Sequence, residues 1–150
     1  MMSYAYVLFW LPVVFAGLGA VLRCAISDAI GRVYNHDFPI ATLLINSFAS
    51  FIMGLVVFLS SSIIYDLTFA STIIYTCALG FLGGFSTFST AILEVVSLFK
   101  LKKIKLGLWL FVSELIVPFL CAFIAYAGPC FVMFLPVSYT HLTLPTTPYV

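Results

Sequence analysis

The chain has 150 residues, 64% of them hydrophobic and 7% charged, with a formal net charge of +1. A typical soluble domain carries about 25% charged residues, so this composition excludes an ordinary water-soluble fold. The few charges are also bunched: residues 1–22, 38–65 and 67–93 have none, and from 106 to 150 the only one is Glu114.

About 20 mostly apolar residues cross a bilayer once, and four stretches qualify, at residues 6–30, 39–62, 68–99 and 106–131. None has the polar face that a soluble helix turns to water. The expected fold is therefore an all-α integral membrane domain of four transmembrane helices over residues 1–133. The first stretch lacks a basic start and continues through Arg23 into more apolar sequence, so it is expected to be a retained helix rather than a cleaved signal. The loops are short and leave no soluble lobe for an enzyme site. Transport or membrane assembly remain, with lipid as a partner and no nucleic acid expected. Cys24, Cys77, Cys121 and Cys130 form no CxxC pair, and packing is their expected role.

Span one ends in GLGAVLR, residues 17–23. Arg23 either snorkels to the interface or draws anions into a vestibule. In span two, Thr42, Asn46 and Ser50 recur every four residues and share one helix face. An amide at this depth must find a partner. It makes either a helix–helix hydrogen bond or a donor that replaces water around a passing anion.

Span three contains GFLGGFSTFST, residues 80–90. Gly83 and Gly84 each weaken a helix by about 1 kcal/mol relative to alanine. Ser86, Thr87, Ser89 and Thr90 crowd hydroxyls around Phe88. A break here would expose backbone carbonyls, tolerated at membrane depth only where they are buried in protein or line a cavity. A glycine seam for close packing explains the glycines but not the hydroxyls. The partly positive edge of the Phe88 ring can meet an anion, although in a chain with 16 phenylalanines one ring is usually packing.

Span four carries Trp109, Ser113 and Glu114 ahead of Pro118, where a kink is expected. A carboxyl at this depth is a functional candidate unless it sits at the lysine-bearing interface. Residues 134–150 are rich in Thr and Pro without helical period and are expected to be a disordered or non-native tail. Loops one and three, on one side, hold Arg32, Lys100, Lys102, Lys103 and Lys105; loop two and both termini hold no basic residue. Positive loops stay cytoplasmic, which places both termini outside a plasma membrane.

Together these segments resemble the CrcB (Fluc) fluoride channels. The matching elements are the glycine and arginine of Gly19 and Arg23, the Thr-x-x-x-Asn of Thr42 and Asn46, and the Gly-rich Ser/Thr/Phe run at residues 80–90. The resemblance implies a passive fluoride-specific channel working as an antiparallel, inverted dimer with a break in the third helix. It implies fluoride contacts at Asn46, Phe88, Thr42, Ser113 and Thr90. Backbone carbonyls of Gly83 and Ser86 would hold a structural sodium ion at the dimer centre, with Arg23 and Glu94 in vestibule or structural roles.

The sequence departs from the family pattern at Ala91, where a second phenylalanine is usual, at Ser50 and at Ala41, both usually glycine. With the charge bias, Ala91 points to an oppositely oriented paralogous subunit as partner. A non-conducting assembly subunit is the alternative. A small multidrug-resistance type exporter fits less well, since helix one has no acidic residue before Asp28.

Overall fold

A computed structural model describes residues 2–34, 38–62 and 69–134. It contains helices α1 (Met2–Val33), α2 (Ile40–Ser62), α3 (Phe69–Phe85), α4 (Phe88–Lys100) and α5 (Ile104–Phe134). The tail from residue 135, and loop residues His36, Asp37 and Asp66, lie outside the described residues. Four segments are long and apolar enough to cross a membrane, at Leu8–Val33, Ile40–Ser61, Ser71–Lys100 and Ile104–Val132. The second and fourth have mean hydropathies of 2.1 and 2.2, the apolar character all round that a buried or membrane-spanning helix shows.

The order of close contacts fixes the direction of each helix. A Cβ on Gly80 would strike the backbone of Pro12, and one on Gly84 would strike that of Ala16. Both sequences advance together, so α1 and α3 run parallel. Asn46 meets Glu114 and Gly54 meets Ala122, so α2 and α5 are parallel as well. Thr42 reaches Glu94 while Asn46 reaches Thr87, which makes α4 antiparallel to α2. The α1–α2 and α4–α5 connections therefore lie at one end of the bundle, and the basic residues Arg32, Lys100, Lys102, Lys103 and Lys105 gather there.

Two helix seams bring the backbones close, α1–α3 and, where a Cβ on Gly54 would strike the Ala122 carbonyl, α2–α5. On the α1–α3 seam, Gly19, Gly80 and Gly84 leave no room for a side chain, the small-residue packing that membrane helices use in place of a hydrophobic driving force. The α4–α5 corner closes on Val95, Leu98 and Leu110, with Phe38 and Leu106 packed against them. At this corner the Lys103 N–H bonds Leu98 C=O and the Lys102 N–H bonds Phe99 C=O, both at 3.0 Å. This is a Schellman stop, with Lys102 in the left-handed region at φ 59. α5 continues as one helix through Pro118 and Pro129. The four cysteines are free thiols.

Between α3 and α4 the chain leaves the helix for two residues, Ser86 and Thr87. Thr87 is extended (φ −152, ψ 119) and caps α4, its Oγ1 accepting from the Thr90 N–H. A β-branched hydroxyl residue suits this place: Thr favours extended backbone and supplies the oxygen that an orphan N–H at a helix start requires.

Candidate functional site

The α3–α4 interruption is held by one side chain from another helix. Asn46 Nδ2 donates to the Thr87 carbonyl at 2.9 Å, and Asn46 Oδ1 accepts from the Thr87 N–H at 2.8 Å. The reciprocal pair also settles the amide's orientation, because a flipped amide would set donor against donor. The second Nδ2 hydrogen goes to Glu114 Oε2 at 2.9 Å. Both amide hydrogens and the amide oxygen are thus engaged, and Asn46 is 7% exposed. A buried amide satisfied on every side is a strong constraint, since an unmade bond at this depth has no water to replace it.

That pairing changes the fate of two carbonyls. In an unbroken helix, Gly83 C=O would accept from the N–H of residue 87, and Ser86 C=O from the N–H of residue 90. Here the Thr87 N–H turns to Asn46 and the Thr90 N–H turns to Thr87 Oγ1. Both oxygens are released from the ladder at the C-terminal, electronegative end of α3. A Cβ added at Gly83 would meet nothing within 4 Å, so this glycine, unlike Gly80 and Gly84, is not required by close packing.

Around this centre the other sequence candidates take distinct places. Thr42, 2% exposed, donates to Glu94 Oε1 at 2.6 Å. Thr90 accepts from Arg23 Nη1 at 3.4 Å and lies 3.1 Å, hydroxyl to hydroxyl, from Thr87. Arg23, Thr42, Thr87 and Thr90 border a cavity of about 190 Å³. Glu94, with Thr90 and Ser97, borders another of about 320 Å³. Phe88 is 56% exposed on the first turn of α4. Ser113 is half-buried, and its hydroxyl returns to Leu110 C=O of its own helix at 2.9 Å. Ser50 lines a third cavity, of about 140 Å³, with Ser86, Ala49 and Met53. Ala91 is fully enclosed, so a methyl group fills this position with no space left for a ring.

One participant was absent from the sequence-derived site, and for another the structure chooses between the two readings left open. The Thr87 peptide is the element that Asn46 clasps, and Glu114, 6% exposed, belongs to the cluster rather than to the lysine-bearing end. The Glu114 spacing held a signal, since a lone carboxyl in an apolar span calls for a partner; no sequence pattern names Asn46 as that partner.

The described residues thus form an all-helical protein with four segments long and apolar enough to cross a membrane, with Asn46 bonded to the two-residue gap between α3 and α4. The model of the family described as "CrcB-like protein, Camphor Resistance (CrcB)" matches residues 10–128, and the chain belongs to this family. It is 36% identical over 121 residues to the fluoride-specific ion channel FluC 1 of Bifidobacterium longum, covering 75% of this chain and 88% of that protein. It is 35% identical over 116 residues to the fluoride-specific ion channel FluC of Pyrococcus abyssi, covering 77% and 90% respectively. Bifidobacterium longum also has a fluoride-specific ion channel FluC 3, 42% identical over 84 residues, covering 56% of this chain and 66% of that protein. Membership sets aside the multidrug-exporter alternative.

Proposed function

We propose that the chain is a subunit of a fluoride-specific channel that lets cytoplasmic fluoride leave the cell passively, lowering its toxicity. The observation that carries this reading is the clasped α3–α4 interruption inside a member of the CrcB-like family. Fluoride is small and tightly hydrated, so its path needs dense donors and no fixed positive charge that would trap it. Hydroxyls of Thr42 and Thr90, the Asn46 amide, the Phe88 ring edge and the Ser113 hydroxyl are the groups of that kind here.

The working unit is an antiparallel dimer with the interruption at its centre. The released carbonyls of Gly83 and Ser86 would hold a structural sodium ion there, outside the fluoride path, joining two electronegative helix ends. The apolar surface of a single chain supports such pairing: Phe48, Phe88, Val96 and Leu93 remain exposed and must meet lipid or a second subunit. Arg23 and Glu94 border the cavities at the basic end of the bundle. That end faces the cytoplasm of a bacterial plasma membrane, with both termini outside.

The partner is an oppositely oriented paralogue. Five loop basic residues against none hold this chain to one orientation, and Ala91 stands where the family usually has a second phenylalanine. More than one FluC protein is named in Bifidobacterium longum, which is compatible with paired subunits. The same Ala91 favours, as a second reading, a subunit that assembles without conducting. Fluoride efflux from liposomes tests both, with the chain alone and mixed with a paralogue of reversed loop charge. The mixed pair is expected to conduct faster; equal rates overturn the heterodimer, and Asn46→Ala with unchanged flux in the pair assigns conduction to the partner.

A further inference from the structure

The three cavities described above are not equivalent in depth. Along α2 the order is Thr42, then Asn46, then Ala49, Ser50 and Met53, each four-residue step advancing about 6 Å. The cavities of about 190 and 320 Å³ lie on the Thr42 side and share Thr90. The cavity of about 140 Å³ lies on the Ser50 side. Asn46, the Thr87 peptide and Glu114 occupy the level between them. A path that followed α2 from the Thr42 level to the Ser50 level would pass this cluster.

At this level the donors are already used. An anion stripped of water needs N–H or O–H groups, and both Asn46 Nδ2 hydrogens are engaged, one by Thr87 C=O and one by Glu114 Oε2. The Thr87 carbonyl is backbone and cannot be removed, whereas Glu114 is a side chain. Its second oxygen, Oε1, is buried with no hydrogen-bond partner among the described residues. Arg23 Nη1 bonds Thr90. Glu94, the other carboxyl, takes Thr42 and borders the cavity of about 320 Å³.

We propose that Glu114 is a flux-limiting residue: it occupies the Asn46 donor that a passing anion needs and sets a carboxyl against the anion's own charge. This rests on the channel reading. Two effects act in the same direction. The hydrogen bond from an amide to a carboxyl oxygen is of the stronger, charge-assisted kind when the carboxyl is ionised, so fluoride must displace it to reach Nδ2. The Oε1 atom, without a hydrogen-bond partner among the described residues, adds an electronegative oxygen that no described donor screens. Glu114 is a positioning residue in this scheme, acting through Asn46.

The test reconstitutes Glu114→Ser and Glu114→Gln in the subunit pairing that conducts best, and measures initial fluoride efflux. Glu114→Ser shortens the side chain beyond reach of Asn46 and frees one N–H; efflux is expected to rise roughly tenfold, as release of one charge-assisted hydrogen bond would give. Glu114→Gln keeps an acceptor for Asn46 but removes the carboxyl, so a smaller rise is expected. It also carries the test if the serine variant fails to assemble. A merely structural role predicts the opposite, because losing a buried partner lowers the yield of folded channel. Efflux at or below wild type in folded protein, judged by thermal melting in detergent, overturns the proposal while leaving the channel reading intact. If no pairing conducts with either residue at position 114, both readings fall.

Discussion

Replacing Asn46 by alanine would remove the three hydrogen bonds of 2.8, 2.9 and 2.9 Å that join α2 to the Thr87 peptide and to Glu114. Side-chain bonds between membrane helices contribute about 0.6 kcal/mol on average and up to about 2, so the clasp as a whole is worth roughly 2–6 kcal/mol. The upper part of that range is favoured here, because Asn46→Ala leaves the Thr87 N–H and C=O unpaired at membrane depth, with no water to take them. Asn46→Asp separates the parts: it keeps an acceptor for the Thr87 N–H but loses both donors and faces Glu114 with another carboxyl. The expected order of stability is wild type, then alanine, then aspartate, measured by reversible unfolding in mixed micelles, with fluoride efflux followed in parallel. An alanine variant within about 0.5 kcal/mol of wild type, the ordinary scatter of a neutral change, would refute the clasp as the element that holds the interruption.

Other expectations follow from the packing. Gly84→Val places branched carbon against the Ala16 backbone, which no rotamer change can relieve, and should cost more than about 3 kcal/mol, seen as loss of monodisperse protein on size exclusion. Lys102→Gly removes the left-handed strain at φ 59 and should stabilise by about 1 kcal/mol, read as a raised melting temperature. Neutralising Lys100, Lys102, Lys103 and Lys105 with glutamine leaves Arg32 as the only basic loop residue. Reporter fusions at the C-terminus should then appear on both sides of the membrane in place of one.

How much of this was legible in the sequence depended on the range of the interaction. The four crossings follow from charge-free runs of sufficient length, a property of each segment alone, and the spans 39–62 and 106–131 lie close to the observed helices. The glycine run at residues 80–84 likewise marks tight packing whatever its partner, and Gly80 and Gly84 do press on α1. The partners themselves were out of reach. Asn46 and Glu114 are 68 residues apart, and their meeting depends on α2 and α5 running parallel in one register. Thr87 acts through its peptide, which every residue possesses, so no composition or motif distinguishes it.

The hardest point for sequence reasoning is that one side chain is asked to do two jobs. Asn46 is read from its type and depth as a donor to an anion, yet its amide hydrogens are taken by Thr87 and Glu114. A group cannot serve as structural clasp and free donor at once with the same hydrogens. The Thr87 side of the clasp shapes the interruption and releases the Gly83 and Ser86 carbonyls, so breaking it would disturb the site it builds. The Glu114 side shapes no backbone. If Asn46 contacts fluoride, the hydrogen it offers is therefore the one now given to Glu114, and the two requirements are reconciled without moving α3 or α4.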